Sequence, residues 1–446
     1  MTKSFDVAVV GAGPGGLMAA RTAARQGLSV ALLERNDAIA PVKRGCAMVL
    51  LTLNEPYFGE EKIYLDREKG ELTFRSYGFS VPYTGPSRDM FSWHILSPGG
   101  SRVQFGSTPD GISAGEDART SSVHDKGLLL SGLLKECRQL GVTIITGVNV
   151  TGTEKCGEKV RVLSDRDPVE APFVIAADGA NSRLAQTTRA NRDRLYYGLM
   201  KIQGAKITGV NGFDANTFYS FVAGSENPSY SVLVPMAVQE EGSFQAFSVD
   251  FDPAGDVAGK LDFLLSGSHF ADSFKNASIV ERTSAIENIF SPMQTPYHDQ
   301  VVFVGDAAWC QEMEITPAMM CGWQAANSVA SALNNNCISG DGIAGYLDWW
   351  DKTCLATHDY RDYLRNYAMC FLLSNDELDF LLSRVNTVLP AIFNPYRAFS
   401  LLGPALAESM DTIARERPGL AAKMQTFATA SLETLMEKPI RDAQGM

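Results

Sequence analysis

The chain is short of basic residues, poor in histidine, without paired cysteines and without a long apolar run. Each shortage removes a class of function. There are 39 Lys and Arg against 51 Asp and Glu, a net charge of −12. That balance argues against a nucleic-acid partner and against broad adsorption to an anionic membrane. Five His and eight Cys are scattered without C-x-x-C spacing or a His companion. Neither a zinc site, nor any other metal, nor a disulfide framework is expected. Unpaired thiols of this kind fit a reducing, cytoplasmic location. No stretch approaches the run of about 18 apolar residues that spans a bilayer. Met1 to Asp6 carries Lys3 and Asp6 and leads straight into an apolar run, unlike a signal peptide. What remains is a 446-residue chain with 45% apolar and 20% charged residues, suited to two or three globular domains.

The most informative stretch is Phe5 to Glu34. Val7 to Val10 is an apolar run short enough for a strand buried on both faces. It is followed by Gly11-Ala12-Gly13-Pro14-Gly15-Gly16, an Ala-rich helical segment stopped by Gly27, and a second apolar strand that ends at Glu34. This is a dinucleotide-binding order. Gly11 permits the tight turn, Gly13 lets a pyrophosphate approach the backbone, and Gly16 lets helix and strand pack closely. Pro14 and Gly15 open a helix whose free N–H groups face the phosphates. Glu34 accepts ribose hydroxyls, and Arg35 follows it at the cofactor's edge. In the next loop, Lys43 and Arg44 balance phosphate charge, and Gly45 and Cys46 come close to the cofactor.

Further on, 69–105 alternates apolar and polar residues between Pro- and Gly-rich turns, the pattern of antiparallel strands. Leu128 to Leu140 reads as a helix, with strands at Val142 to Ile145, Val160 to Leu163, Phe173 to Ala177 and Val301 to Val304. Leu195 to Phe251 is again rich in strand formers, and helical spacing dominates after Gly340. The expected fold is α/β. A Rossmann-like, discontinuous dinucleotide-binding domain with a parallel sheet takes residues 1–65, 107–185 and 290–340. An inserted antiparallel-sheet substrate domain takes 66–106 and 186–289, and a C-terminal helical region takes 341–446. Leu389 to Leu406, interrupted by three prolines, is either a buried helical cap or a point of peripheral membrane contact.

The opening motif does not separate NAD from FAD, but two distant motifs do. Asp178-Gly179-Ala180-Asn181-Ser182 and Gly305-Asp306-Ala307-Ala308 each follow an apolar strand. The ribityl chain and isoalloxazine of FAD need groups from such distant strands, and a helix starting near Pro317 aims N–H groups at the flavin's pyrimidine edge. With these three motifs the chain resembles the flavoprotein family of aromatic hydroxylases, halogenases and geranylgeranyl reductases, over roughly Phe5 to Leu333. The reductase branch is the most similar. Lys43-Arg44-Gly45-Cys46 has the residue types of the reductases' loop with Gly and Cys reversed. Tyr230 to Pro235 keeps the Tyr and Pro of Y-x-W-x-F-P with Val at both aromatic places. Pro317-Ala318-Met319-Met320-Cys321-Gly322 follows P-x-x-G-x-G with Met320 at the first Gly. The halogenase W-x-W-x-I-P is absent. Where hydroxylases place an Arg ahead of the helix near Leu128, the basic residue is Lys126.

The resemblance implies FAD-dependent reduction of carbon–carbon double bonds in an isoprenoid or similar apolar chain. The alternatives are an aromatic or polyketide monooxygenase and a flavin-binding protein without net redox turnover. It also implies FAD contacts from Asp178, Gly179, Gly305, Asp306, Pro317, Met320, Cys321 and Gly322. There is no second nucleotide motif, so the electron donor (NAD(P)H, ferredoxin or another) is left open. Cys46 is the candidate catalytic residue, a proton donor or redox thiol, balanced against a small buried residue in a tight loop. Cys310 and Cys321 read as packing, Glu312 and Glu314 as solvated loop acids ahead of cavity acids, and His94 and His124 as structural. Tyr219, Phe221, Tyr230 and Pro235 are the substrate-facing candidates, with sheet core as the other reading. The stripe from Tyr360 to Phe371 reads as helix packing.

Overall fold

The computed structural model describes residues 2–42, 44–46, 49–51, 58–59, 61–238, 240–310 and 313–436. Its organising layer is a six-stranded sheet built from the apolar runs of the sequence. The strand order is Thr143–Ile145, Val30–Leu33, Val7–Val10, Phe173–Ala176, Val301–Phe303, Tyr297–His298. The first five strands are parallel and the last is antiparallel. Val7–Val10, Val30–Leu33, Phe173–Ala176 and Val301–Phe303 are buried at every position, as strands covered on both faces must be. Helices Pro14–Arg25 and Ile315–Asn334 lie against each other beside this sheet. The 160–163 run is not part of it. Strand Lys159–Ser164 belongs to a separate four-stranded sheet with Lys3–Ser4, Val169–Ala171 and Val150–Cys156.

A seven-stranded sheet forms the second layer. Its order is Arg102–Phe105, Ser92–Leu96, Thr217–Ala223, Ser229–Pro235, Phe244–Asp250, Tyr196–Thr208, Ser278–Phe290. All neighbours are antiparallel except Ser92–Leu96 with Thr217–Ala223. Residues 66–106 do not enter this sheet as a block. Ile63–Asp66, Glu71–Phe74 and Phe79–Pro82 close on themselves through turns that place Gly70 and Gly78 at positive φ. Ser87–Met90 pairs instead with Ser121–His124, which also pairs with Val49–Leu51. Tight local turns join Ile63–Asp66, Glu71–Phe74 and Phe79–Pro82 into a sheet of their own.

Helices predominate after Gly340, and Asn375–Leu382 starts with a full capping box between Ser374 and Glu377, a strong local start signal. Pro404 lies inside helix Ala398–Ala407 and does not divide it. Leu389, Ile392, Tyr396, Leu402 and Leu406 are buried, so much of the apolar surface of 389–406 is spent on the interior, as in a helical cap. No helix among the described residues is long and apolar enough to cross a membrane.

Candidate functional site

The glycines of the first loop are separated by what surrounds them. Gly11 has φ +98, and a Cβ there would fall 2.2 Å from the Ala177 carbonyl oxygen. A Cβ on Gly16 would fall 1.9 Å from the Gly11 oxygen, which is the helix-on-strand contact. Gly15 approaches Ala318 in the same manner, at 3.0 Å from its oxygen. At Gly13 a Cβ would meet nothing within 4 Å. A loop whose other glycines are packed and whose middle one faces open space fits a phosphate-bearing cofactor. Pro14 is the first residue of the helix and lines the central cavity. Glu34 sits at the strand end. One carboxylate oxygen accepts from the Ala12 N–H at 2.8 Å, and the other accepts from the Asn36 backbone and side chain. The acid is thereby held against the glycine loop, while Arg35 is exposed beyond it.

The two distant motifs differ in use. Asp306 lines the cavity, accepts from the Met313 N–H at 2.8 Å and stands 3.9 Å from the Arg44 guanidinium. Gly305, at φ +63, makes the turn that presents it. Asp178 is turned inward instead. It accepts from the Ser182 hydroxyl at 2.6 Å and the Leu184 N–H at 3.0 Å, and burial pushes its carboxyl above the ordinary range. Its carboxylate anchors the start of helix Arg183–Thr187, because that helix's free N–H groups are the nearest donors. Both of these hydrogen bonds go to that helix start, and Asp178 does not line the central cavity. Gly179, at φ +81, has open space beside it.

The helix near Pro317 starts at Ile315, and its cavity face is Glu314, Ile315 and Ala318. Pro317, Met320, Cys321 and Gly322 are buried and do not line the cavity. A Cβ on Gly322 would fall 2.1 Å from the Gly15 oxygen, so this glycine serves the contact between two helices. The Cys321 thiol lies 3.4 Å from the Met313 sulfur. Helical periodicity turns Pro317, Met320 and Cys321 away from the face of Ile315 and Ala318, whereas Gly322 shares that face two turns from Ile315 and spends it on Gly15. Glu314 is half-buried with φ 72 and ψ 169, a region nearly confined to glycine. It is a cavity acid, not a solvated one. Lys43 and Glu312 lie outside the described residues.

The cavity itself, about 190 Å³, lies between this cofactor edge and the inner face of the seven-stranded sheet. Arg44, Gly45, Cys46 and Lys126 form one end. Lys126 Nζ donates to Cys46 Sγ at 3.4 Å, the Lys standing at the first position of helix Lys126–Gln139. Gly45 is close to Phe247 and Thr283, at 3.1 and 3.5 Å from a built Cβ. Its small size thus serves contact with the sheet. Trp93, Phe218, Tyr230, Val232 and Phe247 form the wall supplied by the sheet.

Of the four substrate candidates only Tyr230 faces this space. Its hydroxyl donates to Ser220 at 2.8 Å, its ring meets Tyr367 edge-on, and burial raises its pKa. Tyr219 and Phe221 lie on the other face, packed with Phe213 in a second core. Pro235 ends its strand opposite Phe244 of that same core. The alternation along Thr217–Ala223 puts Phe218 in the cavity and its neighbours behind it. The sequence reading also missed Tyr363, Asn366 and Tyr367, which line the cavity from the helix read as packing. Trp93 and Phe393 complete the aromatic wall, 5.7 Å apart between ring centres. His94 and His124 lie outside it, and burial depresses them to about 4 and about 3. Cys310 is buried, its thiol pushed up to about 12.

This combination of parallel sheet, open glycine loop and cavity-facing Asp turn defines a class, that of FAD-dependent oxidoreductases. Residues 6–39 match the family model described as FAD dependent oxidoreductase. Within that class the chain is geranylgeranyl reductase-like in sequence and fold. It is 24% identical over 398 residues to digeranylgeranylglycerophospholipid reductase 1 of Methanococcoides burtonii, covering 87% of this chain and 89% of that one. The fold is shared with a geranylgeranyl bacteriochlorophyll reductase-like protein of Thermoplasma acidophilum. There the TM-score is 0.68 at 20% identity, with 94% of this chain and all of the other covered. It is also shared with halogenase PltM in complex with phloroglucinol and FAD, at TM-score 0.60, 12% identity, and 99% and 91% coverage.

Proposed function

We propose that the protein reduces carbon–carbon double bonds of an isoprenoid or similarly apolar chain bound in the aromatic cavity. The observation that carries this reading is the cavity's composition. A wall of Trp93, Phe218, Tyr230, Phe247 and Phe393 meets a polar end of Arg44, Cys46, Lys126 and Asp306. An apolar chain is desolvated along such a wall, while its reacting carbons reach the polar end. Gly11, Gly13, Gly15, Gly16 and Glu34 hold the adenosine and pyrophosphate, and Asp306 with Gly305 holds the ribityl chain. FAD, when bound and reduced, supplies the hydride equivalent that goes to one alkene carbon. Cys46 gives the proton to the other carbon, and Lys126 keeps the thiol directed into the cavity.

The test is single-turnover oxidation without air. Chemically reduced enzyme is mixed with a polyprenyl substrate, and the product is expected heavier by two hydrogens. Cys46→Ser should then slow turnover by about 10²–10⁴-fold, the usual contribution of a general acid. No reoxidation by any isoprenoid, together with oxygen-dependent hydroxylation of a ring compound, would overturn the reading. Because Val232 stands where the reductase motif has an aromatic, the preferred chain is expected to differ from geranylgeranyl. An isoprenoid lipid resides in a bilayer, so we further propose a transient peripheral membrane contact during loading. Co-sedimentation with neutral vesicles checks it.

A further inference from the structure

Glu287 carries no recognisable motif, yet it sits where the two layers meet. It lies on the edge strand Ser278–Phe290, is 1% exposed, and is in register with Met200, a residue of the cavity wall. Its carboxylate is paired with the Arg44 guanidinium, whose other nitrogen is 3.9 Å from Asp306. The strand is gripped on either side of Glu287 by one side chain of the Asp178–Ser182 motif. Asn181 Nδ2 donates to the Ile286 carbonyl at 2.7 Å, and the Asn288 N–H donates to Asn181 Oδ1 at 2.8 Å. Asn181 thus acts as a short strand partner on the free edge.

A buried carboxylate is tolerated only when paired and hydrogen-bonded. The position of Glu287 therefore dictates where Arg44 can stand. We infer that Glu287 is a positioning residue for Arg44, and that Asn181 fixes the strand from which Glu287 acts. The cation beside Asp306 is then set by the substrate sheet and not by the loop that carries it. This inference rests on the reading that Arg44 and Asp306 face FAD.

The test is a double-variant cycle on the full chain, with FAD affinity of the apo-protein and its thermal midpoint as separate readouts. Arg44→Gln should weaken FAD binding about tenfold or more and lower the midpoint, because it removes the guanidinium paired with the buried Glu287 carboxylate. Glu287→Gln should weaken FAD binding at least about threefold through the displaced guanidinium. The double variant should bind FAD no worse than Arg44→Gln, within about twofold, while recovering most of the lost midpoint. Asn181→Ala, altering an exposed side chain, should weaken FAD binding severalfold with the midpoint little changed. Should Glu287→Gln fail to fold, the double variant, in which both members of the buried pair are neutral, and Asn181→Ala still decide the matter. Losses in FAD affinity that multiply in the double variant would overturn the inference, as would FAD binding that recovers in step with the midpoint. A parent protein that takes up no FAD would instead overturn the cofactor reading on which it rests.

Discussion

Alanine at two glycines should separate cofactor binding from fold stability, because the new methyl group meets different surroundings. At Gly13 it meets nothing within 4 Å, and φ −71 with ψ −175 is open to any L-residue. Removing glycine's freedom in the unfolded chain contributes about 0.4–1 kcal/mol of stability. The methyl would nonetheless occupy the space in which, on the proposed reading, pyrophosphate approaches the backbone. Losing one hydrogen bond to a charged group costs roughly 1.5–3 kcal/mol, about 10- to 150-fold in affinity. At Gly322 the methyl lies 2.1 Å from the Gly15 oxygen and 3.0 Å from its carbon, whereas ordinary contact starts at 3.4 Å. These are backbone atoms of a packed helix pair, so no side chain can swing aside. Alanine's helix propensity contributes about 1 kcal/mol. Overpacking opposes it by about 1–3 kcal/mol or more, since the helices must part by about 1 Å. Differential scanning of the apo-protein and fluorescence titration with FAD measure the two effects separately. Gly13→Ala should keep or raise the midpoint and bind FAD 10- to 150-fold more weakly, and Gly322→Ala should lower the midpoint. A Gly322→Ala protein as stable as its parent refutes the helix-contact argument, and unaltered FAD binding by Gly13→Ala refutes the cradle.

Two further outcomes are expected. Phe218→Leu should change the preferred chain length in the reoxidation assay, whereas Phe221→Leu, on the far face, should lower stability and leave the preference unchanged. Equal shifts in preference would place the substrate elsewhere. His124 and His94 are held neutral, at about 3 and about 4, by burial, while the unfolded chain takes protons below about 6.5. Their stability is therefore fully present above pH 6.5 and is lost as pH falls toward the folded values, by up to about 1.4 kcal/mol per pH unit for each. Thermal midpoints from pH 7 to 4.5 should fall less steeply for His124→Gln than for the parent; identical slopes would remove His124 from this account.

The half built on the six-stranded sheet is legible in the sequence because its constraints are local. Val7 to Glu34 places a strand, a turn, a helix and an acid within 28 residues, and each step is set by neighbours in the chain. The turn at Gly305 and Asp306 is readable for the same reason. Asp178 shows the limit of that logic. An Asp after a strand and before a Gly is equally suited to a ligand and to the start of the next helix, and Ser182 and Leu184 claimed it. Gly322 shows another. A glycine within a helix says that something comes close, without saying whether it is a flavin or the backbone of Gly15.

The half that carries the aromatic cavity wall is set by contacts that no local pattern records. A strand covered on one face betrays its inner side by alternation, but Thr217–Ala223 is buried along its first six positions. Phe218 and Tyr219 therefore look alike in sequence although one lines the cavity and the other a separate core. A one-residue choice of face exchanges every candidate. Tyr363 and Tyr367 raise the same difficulty on a helix, where a packed stripe and a cavity wall have one period. Glu287 is more hidden still, since its meaning depends on Arg44 some 243 residues away in the chain. What could have pointed to it is energetic. A buried acid on a strand is costly unless a cation meets it, and the sequence reading had spent Arg44 on phosphate charge alone. The surest sequence clue to such a residue is thus a charge placed where hydrophobic alternation has no room for one.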